Sequence, residues 1–301
     1  LVKRFATTVL PSASSLKALR QIAGASRAPK PFAGFGNPLL DGDVERARLA
    51  RQFQNCTSLQ APANQIAQRG LRSLMSLSGG AADIDQLKRQ MPLPETAIEL
   101  CAVANSFAPV KGDVYLGNDA TETRINALSD SGALRQYRVL HFATHGALAG
   151  QIHGTIEAGL ILTPPAAATP ADDGYLSSSE ISALRLDADW VVLSACDTAG
   201  GEDANSEAFS GLARAFFYAG TRALLVSHWP VGSDAAVSIT TGTNDAMVAH
   251  PDIGRAEALR RSIVALLAKV ASMRSRAYGR RSCWSETAAH NAPWTQATPL
   301  L

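Results

Sequence analysis

A chain of 301 residues with 46% hydrophobic and 18% charged side chains has room for one large core or two ordinary ones, which excludes a disordered protein. A formal charge of +2 is too small to point to nucleic acid, and the short arginine run in "ASMRSRAYGRRSCW" lacks an accompanying aromatic-and-basic stripe. No apolar run approaches the roughly 20 residues that cross a bilayer, and no membrane association is expected.

In chain order, "KRFATTVL" predicts a strand and "PSASSLKALRQI" a capped helix start. "KPFAGFGNP" predicts a strand that ends in turn residues. From Asp41 to Met91 the pattern is helical and polar, broken by "SLSGGAAD", and reads as an insertion away from the core. "PETAIELCAVANSF" predicts a helix with Pro94 at its start and Ile98, Leu100, Cys101, Val103, Ala104 and Phe107 mostly on one face. "DVYLG" is a short strand and "TETRINALSD" a helix with Thr121 as N-cap. "YRVLHFAT" and "AGLILTPP" are strands separated by a glycine-rich loop. "LSSSEISAL" is a short helix, and "ADWVVLSAC" a strand buried on both faces. "SEAFSGLARAFFYAG" is a helix closed by Gly220. "TRALLVSHWPV" is another buried strand, two helices fill Asp234 to Ser272, and 273–301 form a C-terminal tail.

Strands alternating with helices predict βαβ units and an α/β fold, with a mostly parallel sheet covered on both faces. Sites in such sheets form beyond the carboxyl ends of the strands. Two strand ends carry reactive residues there, "HFATHG" and "VVLSACDTAGG".

Cys196 sits among small residues, so nothing large shields its sulfur from acting as a nucleophile. The alternative is a buried structural cysteine. His145 is either a hydrogen-bonded loop residue or the base that takes a thiol proton. His141, inside the strand, reads as a packing or supporting residue. A metal-dependent hydrolase built on His141 and His145 is a third reading, but "HFATH" lacks the internal Glu of a helical zinc motif, and no metal is expected. His228 is a candidate pocket residue. Ser194 and Ser210 lack the G-x-S-x-G elbow of a serine hydrolase. Cys56, Cys101, Cys196 and Cys283 are far apart in sequence and form no CxxC pair. They read as separate thiols in a reducing, cytoplasmic setting.

"HFATHG" followed by "LSACDTAGGEDANSEAFSGLARAFFYAGTRALLVSHWPV" resembles the CHAT family of caspase-like cysteine peptidases. "LPSASSLKALR", "APKPFAGFGNPLLDG", "LPETAIELCAVANSF" and "LRLDADWVVLSAC" extend the resemblance upstream, so that it covers most of the chain in order. It implies a caspase-like three-layer sandwich over residues 1–301, although the helical insertion at 41–91 fits the family pattern poorly. It further implies a cysteine–histidine dyad of His145 and Cys196 without a necessary third member, and no cofactor. The backbone amides of Gly146 and Cys196 become the expected oxyanion hole. The implied activity is endopeptidase cleavage of a protein or peptide substrate through an acyl-enzyme. The rival is a caspase-like interaction module that turns over little. Asp197, Glu207 and Asp234, near predicted strand ends, are candidates for binding a basic P1 residue. The family's usual N-terminal lead-in and upstream tetratricopeptide repeats are not in this sequence. A regulatory partner, and low basal activity without it, are therefore expected.

Overall fold

The computed structural model describes residues 2–6, 26–58, 81–169, 171–194, 205–226 and 233–279, the side chains of 205–210, 233, 234, 236 and 272–279 excepted. Its centre is a five-stranded sheet. The strands are β1 (Lys30–Gly36), β2 (Asp113–Leu116), β3 (Tyr137–Ala143), β7 (Trp190–Leu193) and β8 (Leu224–Val226). They lie in the order β2-β1-β3-β7-β8, and every neighbouring pair is parallel. β3 and β7 are apolar along almost their whole length because helices cover both faces.

One face carries α3 (Glu95–Ser106), which packs Ala97, Leu100, Cys101, Val103 and Ala104 onto Phe32, Val139, Ala143, Trp190 and Val192. Gly34 and Gly36 of β1 allow this approach. A Cβ on either would lie within 2.8 Å of a Leu100 methyl. α7 (Ser233–Ala249) extends the layer, joined to α3 by a hydrogen bond from Asn244 to Ser106, and α8 (Arg255–Gly279) packs on α7. The other face is covered by α4 (Glu122–Asp130), α5 (Ser178–Ala183) and α6 (Asn205–Ala219), through Ile125, Ile181, Leu212, Ala215 and Phe216. Phe35 stacks between Tyr115 and Phe142 on this face, with ring centroids 4.9 and 5.3 Å away. The result is the three-layer α/β arrangement that the alternating pattern predicts. The caps follow the sequence as well. Thr121 accepts from the N–H of Arg124, Ser177 and Glu180 form a capping box, and Gly220 closes α6 with a φ of +111°.

Five expectations need correction. "AGLILTPP" is a strand, β5 (Gly159–Ile161), but it leaves the parallel sheet. It lies between β4 (Gly146–Ala147) and β6 (Tyr175–Ser177) in a separate antiparallel sheet. β8 is only half-buried, because among the described residues it is the sheet's terminal strand. "KRFATTVL" opens as a turn over residues 2–4. The rest of it, and "PSASSLKALRQI", lie outside the described residues.

The fourth correction concerns the 41–91 stretch. Its described parts include α1 (Val44–Gln52) and α2 (Ile84–Lys88), and they belong to the core. Ala47 and Ala50 are buried, and Leu40, Ala82 and Leu87 pack on Ala147, Ile161 and Tyr175 of the small sheet. Alanines supply little hydrophobic periodicity, so the buried side of α1 does not show in the pattern. Cys56, just past α1, is disulfide-bonded to Cys101 of α3, with Cα atoms 5.5 Å apart. These two are not separate thiols. Sequence distance hid the pairing, because the chain from α1 to α3 folds back on itself. No described helix is long and apolar enough to cross a membrane.

Candidate active site

The carboxyl ends of β3 and β7 lie side by side. Phe142 pairs with Leu193, and the N–H of Ser194 donates to the carbonyl of Phe142 at 3.0 Å, which extends the ladder one residue past β7. From these adjacent ends the chain continues to His145 on one side and, in sequence, to Cys196 on the other. Cys196 and Asp197 lie outside the described residues, as does His228. Glu207 and Asp234 fall in the first turns of α6 and α7, and their side chains also lie outside what is described. His145, Gly146, His141 and Ser194 are in place.

His145 is half-buried, and its backbone is pinned because the N–H of Ile161 donates to its carbonyl at 2.9 Å. Its Nε2 lies 2.6 Å from the carbonyl oxygen of Met91. A carbonyl can only accept, so Nε2 carries the proton in this contact. Nδ1 is then the basic nitrogen of the neutral ring. A backbone oxygen therefore sets the tautomer of His145.

The Met91 carbonyl is itself held. On one side the carbonyl of Gln90 accepts from the N–H of Gly42 at 3.1 Å, and on the other Pro92 accepts from Nε of Arg46 at 2.8 Å. Nη2 of Arg46 also donates to both carboxylate oxygens of Glu95, at 2.7 and 2.9 Å, where both side chains are mostly buried. The 41–52 stretch thus fixes the loop that orients His145. A backbone acceptor has no signature in side-chain identity. The only trace in the sequence is "MPLPE", whose prolines stiffen the loop.

Gly146 opens β4, opposite Leu160. Hydrogen-bonded and non-hydrogen-bonded pairs alternate along an antiparallel ladder. His145 and Ile161 occupy the bonded position, so the N–H of Gly146 points away from β5, off the edge of the small sheet.

His141 is fully buried on the face that meets α3, at an edge contact with Phe32. Its Nε2 lies 3.2 Å from Oε1 of Glu99, without the alignment of a hydrogen bond. Oε2 of Glu99 accepts from the hydroxyl of Ser194 at 3.0 Å. His141 and His145 thus engage different partners. Among the described residues, no three His, Cys, Asp or Glu side chains group to hold a metal. Glu99 was missed at the sequence level although a signal existed. It is a charged residue at helical spacing from Thr96 and Val103, inside an otherwise apolar stripe, and it is buried where Ile98 was expected to be.

A family model described as the CHAT domain matches residues 1–294. No curated protein matches the chain.

Proposed function

Since the chain belongs to the CHAT-domain family, whose fold is caspase-like, we propose that it is a cysteine endopeptidase working through His145 and Cys196. The contact between Nε2 of His145 and the Met91 carbonyl carries this reading, because it leaves Nδ1 as the base at the carboxyl edge of the sheet. Cys196, two residues beyond Ser194 in the chain, supplies the nucleophile. Nδ1 takes the thiol proton as sulfur attacks the scissile carbonyl carbon. The N–H groups of Gly146 and Cys196 stabilise the oxyanion. The tetrahedral intermediate collapses to a thioester as the C–N bond breaks, and the imidazolium gives its proton to the leaving amine. Water then attacks the thioester with His145 again as base, which restores the thiol.

The acidic residues Asp197, Glu207 and Asp234 support selection of a basic P1 residue. Incubation with a positional peptide library tests both claims. Cleavage after Lys or Arg by the wild type, lost in both Cys196→Ala and His145→Ala, is the expected result. Undiminished cleavage by Cys196→Ala would overturn the mechanism. Folded wild-type protein that cleaves nothing would favour the interaction-module reading.

A further inference from the structure

We propose that Glu99 is a positioning residue, a buried carboxylate that holds the ends of β3 and β7 in the relation the dyad requires; the inference rests on the His145–Cys196 reading above. Glu99 touches both strands at once. One oxygen accepts from Ser194, two residues before Cys196, and the other lies 3.2 Å from the ring of His141, four residues before His145.

α3 does not need this carboxylate in order to dock. Leu100, Cys101, Val103 and Ala104 already bury its face on the sheet, and the Arg46–Glu95 ion pair anchors its first turn. A leucine in place of Glu99 would add apolar area. A carboxylate that is 2% exposed must instead be desolvated, a cost that only good partners offset. Among the described residues no lysine or arginine pairs with Glu99, and the one ion-pair neighbour is His141. The partners it has are Ser194, two residues before Cys196 in the chain, and His141 of the strand that leads to His145.

The same helix is reached through the loop that offers the Met91 carbonyl to His145. Base and nucleophile are therefore referenced to one rigid body, α3, from two sides. Catalytic geometry tolerates errors of only about 0.5 Å, and a shift of about 1 Å can cost about a hundredfold in rate. A contact on Ser194, the residue that follows β7, has that leverage.

The test is the rate of iodoacetamide alkylation at Cys196, read by peptide mass spectrometry on folded protein, so that it needs no substrate. Ser194→Ala, Glu99→Gln and Glu99→Leu are compared with the wild type and with His145→Ala, each with its thermal midpoint. Ser194→Ala and Glu99→Leu should slow Cys196 by about tenfold, and Ser194→Ala, which leaves Oε2 of Glu99 without its donor, should stay folded with a lowered midpoint. Glu99→Gln should recover most of the rate, because its amide oxygen still accepts from Ser194. If Glu99→Leu fails to fold, Ser194→Ala decides, since it removes a single hydroxyl. A folded Ser194→Ala variant within about twofold of wild type, with His145→Ala clearly slowed, would overturn the positioning role and leave the dyad standing. A Cys196 rate indifferent to His145→Ala would overturn the dyad and this inference with it.

Discussion

Nε2 of His145 lies 2.6 Å from the carbonyl oxygen of Met91, in a loop clamped by Arg46. Arg46→Met keeps much of the aliphatic stem but removes the bonds to Pro92 and Glu95. The loop then loses its anchor on one side of Met91, and the His145 ring loses its fixed orientation. Turnover should fall by about tenfold or more, with kcat reduced more than KM is raised. Arg46→Lys should not rescue it, because a single ammonium cannot hold the Pro92 carbonyl and the Glu95 carboxylate from the two separate nitrogens that Arg46 uses. Steady-state kinetics on a cleaved peptide reads this out, and unchanged kcat in Arg46→Met would show that the clamp does not bear on the base.

His145 and Cys196 should behave as one unit. Each alanine variant should abolish cleavage, and the double variant should be little worse than either single, because members of a catalytic unit are strongly non-additive. Multiplicative losses would mean that the two residues act independently.

The Cys56–Cys101 disulfide closes a stretch of 45 residues and ties the end of α1 to α3. Loop-closure entropy for that length corresponds to about 4 kcal/mol, an upper figure for the stabilisation. Reductant, or Cys56→Ala, should lower the denaturant midpoint accordingly. Without reductant, iodoacetamide should label Cys196 and leave Cys56 and Cys101 unmodified. Equal midpoints with and without reductant would rule out a stabilising role.

Glu122 is 1% exposed and accepts from the N–H groups of Asp173 and Gly174. Burial, reinforced by the nearby Glu180 charge, pushes its carboxyl up to about 8 from an ordinary 4.5. The folded state therefore holds a proton on Glu122 that the unfolded state releases. Its contribution to stability is complete below pH 4.5 and declines as pH rises towards 8. Glu122→Gln mimics the protonated form and keeps an acceptor oxygen. It should flatten this part of the stability–pH profile and raise stability at pH 8, measured by urea unfolding. A parallel, unshifted profile would contradict the assignment.

The main sheet was legible because β3 and β7 are apolar on both faces and their helices carry clear caps at Thr121 and Gly220. What the pattern could not show depends on contacts between distant segments. β5 reads like any apolar strand, and only its pairing with β4 and β6 removes it from the parallel sheet. Alanines bury α1 without a hydrophobic signature, and Cys56 gives no sign that its partner is Cys101. At the proposed site, the strand end that carries His145 was readable. The Met91 carbonyl was not, because any residue can supply one. Glu99 was readable in principle, as a charge inside an apolar stripe.

The most direct measurement of the central claim is trapping with a peptidyl acyloxymethyl ketone of basic P1 residue, followed by intact-mass analysis and peptide mapping. The thiolate displaces the acyloxy group and forms a stable thioether, so the reaction needs the same base and nucleophile as acylation. The account predicts one adduct per chain, on Cys196, that is lost in Cys196→Ala and strongly slowed in His145→Ala. An adduct that forms at Cys196 equally fast without His145, or no Cys196 adduct on folded wild-type protein, would contradict it.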